Sequence, residues 1–247
     1  MNRLFYFCNM NKKQLKRNLV LGILFFLPVT FLMFLYPSTH NYNTLDIVDV
    51  KVNEIEHFKS DSDNAIILKD HLTVLGFFGS NPMNNVIAAS NLKELVYDKF
   101  KGFKKFQIVI VVLEGYEDEA EQLKKEISLY EDLKYWHFVY GDKNQIQQVF
   151  NSLKADLPLN EQLSSNEVFI IDIDLCQRGR IDDRSDNEIT SKKAIYGLNS
   201  YNCIEVAVIK NKMGGEDLRV LFTEYRQKRK GNFDSTTRRA NDLNETK

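Results

Sequence analysis

The apolar and polar positions of this chain form one long uncharged run followed by a series of short runs of changing period. From Leu19 to Leu35 the run LVLGILFFLPVTFLMFL holds no charge. Asn18 and Tyr36 extend it to about the 20 residues that a helix needs to cross roughly 30 Å of hydrocarbon. A buried core helix keeps a polar stripe on one face, and this run has none. Pro28 predicts a kink, which membrane helices tolerate because neighbouring groups satisfy the freed carbonyl. The pattern therefore predicts a basic segment over 1–17, a transmembrane helix over 18–36 and a juxtamembrane linker over 37–44.

Beyond that linker the periods change. LDIVDVKV alternates around Ile47 to Val52 as a half-buried strand does, and HFKSDSDNA reads as a turn, so a first hairpin is expected. Leu72–Phe78 and Phe106–Gly115 are apolar on both faces, which places them at the centre of a covered sheet. Between them Val86, Leu92, Leu95, Val96 and Phe100 recur near helical spacing, with a stop at Gly102. A second helix opens on the acids after Tyr116 and repeats Leu123, Ile127 and Tyr130. Trp136–Gly141 is a short strand, Asp142 caps a third helix, and a buried strand begins at Glu167. Two more helical patterns, SYNCIEVAVIKNKM and GEDLRVLFTEYRQKRK, break at Gly214 and Gly215. The order predicts an α/β sandwich with a central mixed sheet over 45–230, and the polar stretch 231–247 reads as a disordered tail.

Charge sets the topology. The net charge is −1, yet the residues up to Tyr36 carry Arg3, Lys12, Lys13, Lys16 and Arg17 and no acid, so the rest of the chain carries −6. No Lys or Arg follows the apolar run closely. The positive-inside rule then puts the amino terminus in the cytoplasm and the domain on the outer, periplasmic side of the cytoplasmic membrane. A cleaved signal peptide is the rival, but the run is longer than a signal core and no small-x-small site follows Leu35. The acidic domain lacks the clustered cations that nucleic acid requires, which leaves the lipid bilayer as the one partner implied by composition. Cys176 and Cys203 could pair in that compartment or remain buried thiols. His40, His57, His71 and His137 stand singly, without the spacing of a zinc site.

In such sheets the reactive position lies where the first central strand meets the next helix, because backbone N–H groups and the helix dipole converge there. Here that junction is GFFGSNPMNNVIAAS. With the basic-then-apolar anchor, VLGFFGSNP, YWHFVYGDKNQI and EVFIIDIDLCQRGRIDD, in that order and spacing, the chain from about Leu45 to Arg229 resembles the SCO (SenC) family. These are thioredoxin-like, membrane-anchored proteins that deliver copper to cytochrome c oxidase. The resemblance implies a thioredoxin-like fold. It places the family's two copper-binding cysteines on Asn81 and Asn85 and its histidine on Ser164. All three ligands are missing, and neither an Asn amide nor a Ser hydroxyl supplies the soft thiolate that copper(I) and dithiol chemistry need. Met83 and His71 are the only nearby substitutes, and a lone Met is more often a packing residue. No metal or cofactor is expected.

A second polar feature is RGRIDDR, where Arg178, Arg180, Asp182, Asp183 and Arg184 surround one Gly. It reads either as a solvated turn of internal ion pairs or as a contact patch whose guanidinium forks bind a partner's carboxylates. The sequence does not separate the two. Three functions follow: a non-catalytic accessory protein docking to a respiratory oxidase complex or to a copper-carrying paralogue; a thiol oxidoreductase or metallochaperone using Cys176 and Cys203; and a structural membrane protein with an unrelated partner.

Overall fold

The structure, a computed structural model, describes residues 12–35, 44–60, 65–128 and 132–230. The expected tail 231–247, residues 1–11 and most of the linker lie outside them. The chain divides into two units, Met1–Tyr42 and Asn43–Lys247.

The first unit contains α1 (Lys12–Leu35), which begins earlier than its apolar run, so Lys16 and Arg17 belong to its opening turns. Its segment Gln14–Met33 has a mean hydropathy of 1.6 and is long and apolar enough to span a bilayer. The Thr30 hydroxyl donates to the Phe26 carbonyl at 2.9 Å, so it leaves no bare donor on that surface.

The second unit is a mixed sheet covered on both faces. Its strands are β1 (Asp46–Asp49), β2 (Lys59–Ser60), β3 (Leu72–Gly79), β4 (Phe106–Leu113), β5 (Trp136–Gly141), β6 (Ser164–Ile171), β7 (Gln177–Gly179) and β8 (Tyr201–Asn202). Their order is β1-β7-β6-β3-β4-β5-β2, with β8 added beside β6. β3, β4 and β5 run parallel, β6 is antiparallel to β3, and β7 is antiparallel to β6. A central first strand flanked by a parallel second and an antiparallel third, with the fourth outside the third, is the thioredoxin-like topology.

Side-chain alternation along β4 explains the two layers. Ile108, Ile110 and Val112 join Leu92 of α2 (Val86–Leu92), Leu123 of α4 (Glu117–Ile127) and Leu221 of α7 (Leu218–Lys230) on one face. Val109 and Val111 join Ile146 and Val149 of α5 (Lys143–Asn151) on the other. Each such fully buried side chain contributes roughly 1.5–3 kcal/mol, and the buried polar pair in these strands, Gln107 and Thr73, is joined by a hydrogen bond of 2.9 Å. α5 starts in a capping box, with Asp142 Oδ1 accepting from Gln145 N–H at 2.8 Å and Gln145 Oε1 accepting from Asp142 N–H at 2.8 Å.

Three expectations are corrected. β1 and β2 do not form a hairpin: β1 pairs with β7 and β2 with β5, at opposite edges of the sheet. The residues between them cross beneath the sheet, burying Val52, Ile55 and Phe58, and that burial outweighs local turn formation. Gly214 and Gly215 do not break the last helix, because a π-helical segment, Val208–Asp217, runs through them into α7. A Cβ on Gly214 would lie 2.8 Å from the Leu95 carbonyl, so glycine permits this segment to lie on the π turn Lys93–Tyr97 between α2 and α3 (Asp98–Phe100). Cys203, expected in a helix, instead follows β8.

Candidate functional site

β3 ends at Gly79, whose φ of +56° is a left-handed conformation open to glycine. Any side chain there would strike the backbone of Gln162 and Leu163. The approach is fixed by Ser80 N–H donating to the Gln162 carbonyl at 2.8 Å. Next comes the 3₁₀ turn Pro82–Asn85, opened by the proline that suits a helical first position. Asn85 Nδ2 donates back to the Asn81 carbonyl at 3.0 Å.

Ser164 arrives from the other side. It is the first residue of β6, opposite Phe78 of β3, and its N–H donates to Asn160 Oδ1 at 2.8 Å. Asn85 Nδ2 lies 3.4 Å from Ser164 Oγ, and that hydroxyl lies 3.5 Å from Asn85 Oδ1, so the two side chains share a long, weak contact. Asn85 and Ser164 are both buried. Two positions 79 residues apart, with Asn81 one turn before the first, thus converge on the strand–helix junction. His71 does not join them: it precedes the other end of β3, about 25 Å away at strand rise, where its Nδ1 lies 3.0 Å from the Lys69 carbonyl. Met83 packs against the core.

The junction is therefore a neutral cluster of amides and a hydroxyl. Those donors do not fit copper, since none is a thiolate or an imidazole. Among the described residues no three His, Cys, Asp or Glu side chains are grouped as a metal ion would require. Cys176 and Cys203 are not bonded to each other. Cys203 is buried with Sγ donating to the Asn166 carbonyl at 2.8 Å, and burial pushes its thiol up to about 12. Cys176 stands in the β6–β7 turn, where burial and then the Asp172 charge raise its thiol. Neither has the lowered pKa of an attacking thiol.

The RGRIDDR segment is divided by the fold. Arg178, in β7, is fully buried, which corrects its place in a solvated turn or contact patch. Its Nη1 donates to Asp172 Oδ2 and its Nη2 to Glu224 Oε2 and the Leu45 carbonyl, each at 2.9 Å. A guanidinium in the interior requires such partners, since an unpaired buried charge costs several kcal/mol. Arg180, Asp182, Asp183 and Arg184 stay near the surface and line a cavity of about 510 Å³ with Asp46, Glu216 and Asp217. Arg180 donates to Asp217 through Nε at 3.0 Å, to Asp183 through Nη1 at 2.9 Å and to Glu216 through Nη2 at 2.7 Å. Burial works against its charge, but these carboxylates outweigh that and raise the guanidinium above its usual range. Arg184 forks onto Asp182 at 2.9 and 2.8 Å. The guanidiniums expected to reach for a partner's carboxylates are occupied within the domain.

Glu216, Asp217 and Glu224 escaped notice in the sequence, although a signal exists there. Asp217 and Glu224 share the helical stripe of Leu218, Leu221 and Tyr225, and an acid on an apolar stripe implies a buried cation or donor opposite. Asp217 takes a 2.6 Å bond from the Tyr201 hydroxyl as well as the Arg180 fork; burial still raises its carboxyl. Beyond the cavity, α6 (Asp186–Thr190) begins in a capping box of Ser185 and Glu188. Lys193, the Ser185 N–H and the Tyr196 hydroxyl hold the Glu188 carboxyl down to about 2.

No protein-family model and no curated protein sequence matches this chain. Solved structures similar to it include a SCO1/SenC family lipoprotein from Bacillus anthracis, with 19% identity, a TM-score of 0.39 and 56% of this chain against 86% of that one. The soluble domain of Sco1 from Bacillus subtilis aligns with 72% of this chain and 95% of its own length, at 15% identity and a TM-score of 0.39. The thioredoxin domain of a thiol-disulfide oxidoreductase from Bacteroides vulgatus aligns over 63% and 100%, at 16% identity and a TM-score of 0.38.

Proposed function

We propose that this protein is a membrane-anchored, non-catalytic member of the SCO-like group, with a thioredoxin-like domain on the periplasmic side that serves as an accessory or docking factor in respiratory oxidase assembly or copper homeostasis. The observation that carries the reading is the Asn81, Asn85 and Ser164 cluster. At the strand–helix junction Asn85 bonds the Asn81 carbonyl and meets Ser164, and amides and a hydroxyl neither exchange disulfides nor hold copper(I). The raised pKa of both cysteines, and the burial of Cys203, argue against thiol chemistry elsewhere in the domain. What remains is a folded surface on an anchor, whose use is to bind. The proposed partners are a membrane respiratory complex or a copper-carrying paralogue.

The experiment compares the full-length chain in detergent with the variant Asn81→Cys, Asn85→Cys, Ser164→His. The natural protein is expected to retain no copper after desalting and to leave insulin disulfides intact. The variant, with two thiolates and an imidazole at the converging positions, is expected to bind one equivalent and to show thiolate-to-copper(II) charge-transfer absorption. Moving one of the new cysteines two residues along should abolish that band. Copper retention or insulin reduction by the natural chain would sink the non-catalytic reading, and a variant no better than its displaced control would sink the assignment of the three positions.

A further inference from the structure

The segment between β7 and β8 folds back on itself as a lobe. Arg180 and Leu198 exchange N–H···O bonds of 2.9 and 2.7 Å, and Asp183 N–H donates to the Tyr196 carbonyl at 2.9 Å. The lobe carries α6 and exposes Ile181, Ile189, Ile195 and Tyr196. Ile195 is 67% exposed and Ile181 53%, and Ile181 stands between two residues of the charged cavity. A lobe that exposes several large apolar side chains and whose own charged residues line a concave polar surface has the make-up of an interaction site.

Charge identifies the occupant. Five carboxylates line the cavity, those of Asp46, Asp182, Asp183, Glu216 and Asp217, against the guanidiniums of Arg180 and Arg184. Lys212 reaches Asp183 at 2.8 Å, which leaves an excess of two negative charges. Arg180 and Arg184 are engaged by those acids. The free capacity belongs to acceptors: Glu216, whose side chain is 57% exposed, uses one oxygen on Arg180, and Asp46 uses Oδ2 on the Ile181 N–H at 3.0 Å. An anionic lipid headgroup or an acidic peptide would meet an excess of its own sign. A cationic side chain would meet acceptors already oriented.

We infer that the lobe and its cavity form the docking face of this domain, and that it receives a basic, apolar segment of a partner protein, with a Lys or Arg entering the cavity and flanking apolar side chains resting on Ile181 and Ile195. This rests on the docking function proposed above and names the partner chemistry for it. It also reverses the sign expected from the arginines alone, because the fold turns them inward on their own acids.

The test uses full-length protein in nanodiscs of zwitterionic phosphatidylcholine, with empty discs as background. Three fluorescein-labelled synthetic peptides serve as probes in anisotropy titrations: an amphipathic lysine–leucine peptide, its glutamate–leucine counterpart and a lysine–serine peptide. The lysine–leucine peptide is expected to bind at least fivefold more tightly than either of the others. Glu216→Lys should weaken it about fivefold, the upper range of an exposed pair. Ile195→Ser should weaken it about tenfold through lost apolar burial. Both side chains are exposed, so unchanged melting will show that the variants fold. Equal or tighter binding of the glutamate–leucine peptide, or affinity for the lysine–leucine peptide unaltered by both substitutions, overturns the inference. The copper and insulin assays do not involve this face, so a failure here leaves their outcome standing and is told apart from a failure there.

Discussion

Arg178 sits in a run of charges that reads as a turn, yet it has no exposed surface and closes a buried triad with Asp172 and Glu224. Removing it would leave Asp172 without its cation and Glu224 with Lys228 as its remaining ion pair, at a cost of about 3–5 kcal/mol. Arg178→Met should therefore lower the melting temperature by roughly 10 °C for a domain of this size. Adding Asp172→Asn to that variant should recover part of the loss, because it removes the buried charge left without its cation. A melting curve unmoved by Arg178→Met would show that the triad is not formed. Nothing within a few residues of Arg178 could reveal this role, since its strand has three residues and Glu224 lies 46 positions away. Asn81, Asn85 and Ser164 were named through the resemblance alone. The strand–Pro–helix junction is written in local pattern, but β6 starts three residues before the expected Glu167, and the contact between Asn85 and Ser164 spans 79 positions.

Among the elements, β3, β4, β5 and β6 and the cap of α5 followed from periodicity and from residues adjacent in sequence, which act the same way whatever surrounds them. The supposed first hairpin and the supposed break at Gly214 did not, because each was decided by a distant surface. β1 found β7 instead of β2, and Gly214 found the backbone of Leu95. The paired π segments depend on that glycine. Gly214→Ala would put a Cβ 2.8 Å from the Leu95 carbonyl and 3.2 Å from that of Ile209, both backbone atoms that cannot swing aside. The expected loss is about 1–3 kcal/mol by urea denaturation, typical of overpacking. Gly102→Ala, where a Cβ meets nothing within 4 Å, is the control and should change stability by less than about 0.5 kcal/mol. Equal effects at the two sites would mean that the helix does not lie against Leu95.

At the scale of the whole chain, one apolar helix and one acidic domain follow from composition alone. The expected outcome for right-side-out vesicles of cells making the full chain is digestion of the domain by added protease, with survival of a fragment carrying α1 and the residues before it. A domain protected until the vesicles are opened would reverse the proposed topology. If the domain is held by its first residues, any tension on it enters at Thr44, next to the Leu45 carbonyl that Arg178 grips. That guanidinium also holds Asp172 at the end of β6 and Glu224 on α7, while β1 is zipped along β7. A pull from the tether is thus shared between the sheet and the C-terminal helix instead of acting on a short edge strand alone.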